Sequence, residues 1–217
     1  MTYSKSKKPP LKPRDEIGTV GFGFSMPHRD FYEEAHRLFE LMKQASAAAL
    51  NASVDDKSRR EGAYTHIPYA AWDVSMLARA VEIFSALAVE AAINCYGLVR
   101  YGHEQFEGRL GNKPLVVKLR GVLEPISRDP LSDDDELLIL VKRVAARRNE
   151  LVHPRSDESR MDESGKMDYV TPVQESGTPE LAFESLSLMV RFFELFPHRD
   201  RLYGHWIAPV TYHPWQR

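Results

Sequence analysis

From Ala70 to Tyr101 the chain repeats apolar side chains at helical spacing without a break, and this stretch limits the folds open to it. Leu77, Ala80, Phe84, Leu87, Ala91, Cys95 and Leu98 recur three or four apart, which is one face of an α-helix. At about 1.5 Å per residue such a helix is more than about 40 Å long and suits the spine of a bundle. Its most apolar window, SALAVEAAINCYGLV, holds Glu90 and Asn94 and is too short and too polar to cross a bilayer. Gly97 and Gly102 weaken its C-terminal end.

The remaining segments read as partners for this helix. A first helix starts near Asp30, with Asp30 and Glu33 at capping-box spacing, and stops near Asn51. Phe31, Ala35, Leu38, Met42, Ala45 and Ala49 are its apolar positions. The following VDDKSRREGAYTHIP reads as a loop. Two short helices are expected over His103 to Leu110 and Pro114 to Leu123. The best-signalled helix runs from Asp133 to about Val152, with Ser132 as N-cap. Its first turn is acidic and its later turns are basic, as the helix dipole favours. Pro154 disfavours helical geometry at His153. Residues 156 to 177 are polar and aperiodic, an uncommonly long loop for a compact domain. A last helix follows, with Thr178 as N-cap, Pro179 as first residue, Leu181, Ser185, Leu188, Phe192 and Leu195 as inner positions, and Pro197 as its end.

These readings give an all-α fold: an up-and-down bundle of four to five main helices with a long polar loop before the last. Residues 1–25, rich in lysine, proline and glycine, form a basic arm. Residues 26–197 form the bundle. Residues 198–217 are aromatic-rich and are expected to dock on the bundle or on a partner.

Composition narrows the functional classes. A net charge of −2 in 217 residues provides no global attraction for nucleic acid, so such a role must rest on a local patch. The single cysteine, Cys95, excludes an intrachain disulfide and lies in an apolar run, where it reads as a small buried residue. No apolar stretch follows the basic N-terminus as a signal peptide would require. A soluble cytoplasmic protein is expected. The histidines show no metal-ligand spacing, and neither metal nor cofactor is implied.

One ten-residue stretch, AARRNELVHP from Ala145 to Pro154, departs from ordinary amphipathic patterning. The apolar seam of its helix steps through Leu137, Val141 and Val144, and then meets Arg148 before Leu151. An arginine on a seam needs an ion-pair partner, water or an interface. Asn149 is four residues before His153, on one face if the last turn holds. Arg148 and His153 are about 140° apart on an ideal helix, so they converge only if the turn unwinds or a second chain completes the site. Glu90 or Asn94, polar intrusions on the row Ile83, Leu87, Glu90, Asn94, is expected to reach Arg148 or His153. Lys142, Arg143, Arg147 and Arg155 add a local phosphate-binding patch.

Arg148-Asn149-x-x-x-His153 resembles the arginine–polar–x(3)–histidine signature of HEPN domains, which are α-helical bundles. The AVEAAIN stretch, Ala88 to Asn94, resembles an earlier helix of that family with an acidic residue among apolar ones. Other arginine–histidine pairs occur at similar spacing, such as Arg60 to His66, but only Arg148 is followed by asparagine on a well-signalled helix. The resemblance implies a metal-independent endoribonuclease, with a toxin–antitoxin or phage-defence setting. In it His153 acts as general base or acid, Arg148 stabilises phosphate charge and Asn149 orients either one. RNA is then the substrate, two copies face one cleft, and an antitoxin or regulatory protein is a further partner. The alternative is a non-catalytic module of the same kind that binds a nucleotide or a protein. A third expectation makes the arginine only a buried device that fixes helix register.

Overall fold

A computed structural model describes residues 11–14, 26–57, 69–127, 131–152, 160–161, 167–168, 177–200, 204 and 207. The fold is all-α, with six α-helices among the described residues: α1 (Pro27–Lys57), α2 (Tyr69–Tyr101), α3 (His103–Leu110), α4 (Leu115–Leu123), α5 (Glu136–Val152) and α6 (Pro179–Leu195). A 3-10 turn, Phe196–Arg199, follows α6. The polar stretch before α6, read as aperiodic, contains a minimal antiparallel ladder of β1 (Arg160–Met161) and β2 (Met167–Asp168). Among the described residues no helix is long and apolar enough to cross a membrane.

Helix ends show where local chemistry prevailed over the expected signals. α1 begins at Pro27, so Asp30 lies inside its first turn rather than ahead of it, where its charge still favours the helix N-terminus. It also continues through Asn51 to Lys57, which shortens the expected loop. The N-cap of α5 is Asp135, not Ser132. The Leu137 N–H donates to Asp135 Oδ1 at 3.0 Å, and Ser132 instead accepts from the Asp135 N–H in the preceding turn. For α6 the expected cap is the observed one: the Leu181 N–H donates to Thr178 Oγ1 at 3.3 Å.

The chain divides into two compact units. The first comprises Met1–Arg29, Val89–Lys142 and Arg191–Arg217. Its core holds Ile93, Tyr96, Tyr101, Phe106, Leu119, Leu123, Leu137, Phe192 and Phe196. Tyr96 meets Phe196 edge-on at 5.2 Å, and Phe192 stacks on Phe196 at 4.9 Å. A buried polar network crosses this core. The Tyr96 hydroxyl donates to Asp200 Oδ2 at 2.6 Å, and Arg100 Nε lies 3.0 Å from the same oxygen. Arg14 exchanges backbone and side-chain bonds with Arg100, and Leu11 is buried, so this part of the basic arm is docked. Gly204 and Ile207, from the aromatic-rich C-terminal segment, are buried as well.

The second unit comprises Asp30–Ala88 and Arg143–Val190. Its core holds Ala35, Leu38, Met42, Ala78, Val81, Ala86, Ala88, Val144, Ala182, Leu186 and Met189. Phe31 of α1 packs on Phe84 of α2 at 5.9 Å, and Phe39 lies 6.0 Å from Phe183 of α6. The seam of α5 is buried as expected at Leu137, Val141 and Val144 and opens to half-buried at Arg148 and Leu151. In α2 the expected stripe is displaced. Leu77, Phe84 and Leu87 are half-buried, whereas Ala78, Val81, Ser85, Ala88, Val89 and Ala92 are enclosed.

Candidate functional site

Two features of α5 concentrate chemistry at its C-terminal half. The first is the expected motif. Arg148 is half-buried and Asn149 exposed on the last turns, and α5 ends at Val152, the residue before His153. His153 and Arg155 lie outside the described residues. Glu90 and Asn94 are half-buried on α2 and belong to the first unit, while Arg148 and Asn149 belong to the second. Within its own unit, Asn94 Oδ1 accepts from Lys118 Nζ at 2.9 Å.

Three residues of the expected phosphate patch, Lys142, Arg143 and Arg147, already face acids of the fold. Lys142 Nζ lies 3.5 Å from Asp133, an acid that Arg120 also engages at 2.6 Å. Arg143 pairs with Glu184 of α6. Arg147 donates to Glu150 at 2.8 Å and lies 3.5 Å from Glu82. The positive charge of Lys142, Arg143 and Arg147 is therefore partly balanced, by Glu150 on the same helix and by Asp133, Glu184 and Glu82 outside it, and only the last three escape a count along α5.

The second feature was missed in the sequence reading and is the more unusual. Glu82 of α2 is a carboxylate with no side-chain exposure. Its Oε1 accepts from the Gly177 N–H at 3.0 Å, just ahead of α6. Its Oε2 faces Arg147 Nε at 3.5 Å in an ion pair without hydrogen-bond geometry. Burial pushes the Glu82 carboxyl above the usual glutamate range. The Gly177 N–H and the Arg147 and Arg79 charges oppose that shift, and Glu150 adds to it. Gly177 sits at φ +82°, and a Cβ there would lie 2.8 Å from the side chains of Arg79 and Ser75, so only glycine permits this approach. Three elements thus meet at one carboxylate: α2, α5 and the start of α6.

A signal for Glu82 existed. Ala80-Val81-Glu82 and Ala88-Val89-Glu90 repeat the same tripeptide along α2. Glu82 stands two turns before Glu90 in the same tripeptide, and the sequence alone gives no reason to set it aside. Glu82 and Arg147 form an acid–arginine pair distinct from the expected one, whose members are the seam residue Arg148 or His153 and Glu90 or Asn94.

Other reactive groups are enclosed. Cys95 is buried and its thiol is pushed up by that burial, which suits packing rather than nucleophilic attack. Tyr96 and Tyr101 are buried phenols held well above the usual tyrosine range by desolvation. Among the described residues no group of three histidine, cysteine, aspartate or glutamate side chains gathers in a metal-binding arrangement. No family model matches this chain, and neither the curated proteins nor the solved structures yield a match.

Proposed function

We propose that the protein is a metal-independent endoribonuclease of HEPN type, with Arg148, Asn149 and His153 as its working residues. The supporting observation is the position of the motif. Arg148 and Asn149 occupy the last turns of α5, where its seam passes from buried at Val144 to half-buried at Arg148. In this reading His153 takes the proton from a ribose 2′-hydroxyl. The 2′-oxygen then attacks the adjacent phosphorus, the bond to the 5′-oxygen breaks, and that leaving oxygen acquires a proton. Arg148 stabilises the charge that builds on the phosphate oxygens. The substrate is RNA because the attacking hydroxyl exists only there. A homodimer bringing two motifs to one cleft, with an antitoxin or other regulatory protein in a toxin or phage-defence setting, completes the proposal.

The second reading, a non-catalytic module that binds a nucleotide or a protein, is favoured by a specific observation. Lys142, Arg143 and Arg147 already face acids within the fold, which weakens the local attraction for RNA. Incubating RNA with wild-type protein, His153→Ala and Arg148→Ala, each in EDTA, separates the two. Cleavage by wild type alone supports the enzyme. Equal cleavage by all three removes the mechanism, and binding without cleavage supports the module.

A further inference from the structure

We propose that Glu82 is a positioning residue for the α5 site: through Arg147 it fixes the rotation of the helix end that presents Arg148 and Asn149. This deepens the ribonuclease reading and rests on it. Glu82 is too enclosed to meet a substrate, so whatever it does for the site passes through another side chain. Arg147 is the one it engages on α5, and Arg147 immediately precedes the motif.

The arrangement restrains that helix end from two directions. The Arg147 guanidinium lies between the enclosed Glu82 at 3.5 Å and the exposed Glu150 at 2.8 Å. Glu82 is itself held by the Gly177 N–H at 3.0 Å, at a backbone position that tolerates only glycine. A rotation of α5 about its axis would draw Arg147 away from a carboxylate whose side chain is fully enclosed. It would also move Arg148 and Asn149, the next residues in the chain. A buried charge is a poor source of stability, because desolvating it offsets much of the attraction. Its value here is geometric, since reaction rates depend steeply on sub-ångström placement.

The test uses Glu82→Gln, Arg147→Ala and the double variant in RNA cleavage. Glutamine keeps an oxygen acceptor for Gly177 and removes the charge that holds Arg147. We expect kcat to fall about tenfold or more with KM little changed. Arg147→Ala should cause a similar loss, the double variant no greater loss than either single, and Arg147→Lys a partial recovery. Should Glu82→Gln fold poorly, Arg147→Ala and Arg147→Lys carry the same comparison at a partly exposed position. Full kcat in Glu82→Gln or in Arg147→Ala, or losses that simply multiply in the double variant, would overturn the positioning role while leaving the ribonuclease reading intact. Absence of RNA cleavage by wild type would overturn both, so the two failures are distinct.

Discussion

A single carboxylate illustrates how a stability cost and a functional role can share one side chain. Because Glu82 is enclosed, its neutral form is favoured and its carboxyl titrates above the usual glutamate range, with burial as the leading cause. The native state therefore holds this proton more tightly than the unfolded chain does. The resulting stabilisation is complete below the ordinary glutamate value and is lost as pH rises through the raised one. At neutral pH the ionised side chain is a burden on the fold. Glu82→Gln should raise the melting temperature at neutral pH, and its advantage over wild type should vanish under acidic conditions. Thermal melts of both proteins across that range check this, and a lower melting temperature for the variant at neutral pH would contradict it. A variant that melts higher yet cleaves RNA more slowly would show a charge retained for geometry at the expense of stability. The sequence singles out Glu90 and Arg148 by their places on apolar rows, and the Glu82–Arg147 pair is a separate one that it does not single out. Glu82 and Glu90 each close an Ala-Val-Glu tripeptide, and Arg147 and Arg148 are adjacent. Only the tertiary approach of Gly177 distinguishes Glu82.

At the level of elements, helix existence was legible and helix faces were less so. The spacing rules placed α2, α3 and α6 almost to the residue, because prolines, glycines and a threonine cap mark their ends. They misplace the buried face of α2 by about one residue, since a stripe through Leu77, Ala80, Phe84 and Leu87 lies beside the enclosed row Ala78, Val81, Ser85 and Ala88. Ala78, Val81, Ser85, Ala88, Val89, Ala92 and Ile93 are enclosed there, while Leu77, Phe84 and Leu87 flank them. Gly97 was read as a weak point, whereas it serves close packing: a methyl group at this position would overlap the buried Phe106 ring. Two effects of Gly97→Ala then oppose each other. Helix propensity gains up to about 1 kcal/mol, and overpacking a filled core costs about 1–3 kcal/mol. Since Phe106 is fully enclosed, the second should win, and urea unfolding should show a net loss of about 1 kcal/mol. Adding Phe106→Ala should remove the overlap and reverse the sign of the Gly97→Ala effect. For α6, Thr178→Ala removes the capping oxygen and should cost about 1 kcal/mol. In a chain of this size that lowers the melting temperature by about 2–4 °C, measurable by calorimetry.

For the whole molecule, the decisive quantity is how much positive charge remains available to a polyanion. A net charge of −2 supplies no long-range attraction. Counting along α5 suggested a local exception, yet Lys142 faces Asp133, Arg143 faces Glu184, and Arg147 lies between Glu82 and Glu150. A cation paired with a carboxylate must leave that partner, or share it, before it neutralises a phosphate. The salt dependence of RNA binding measures the difference. Four phosphate contacts from Lys142, Arg143, Arg147 and Arg155 would give a slope of about −2.8 for log affinity against log salt on a single strand. With three of the four already engaged, we expect a slope shallower than about −1.5. Neutralising the competing acid on α6 with Glu184→Gln should free Arg143 and steepen that slope by about 0.7. A non-cleavable 2′-O-methyl oligonucleotide, titrated across a range of salt concentrations, gives both values. A wild-type slope near −2.8 would mean that RNA displaces the internal acids. The ion pairs of α5 would then be a reserve that binding opens, and the charge balance of the free protein would not set its affinity.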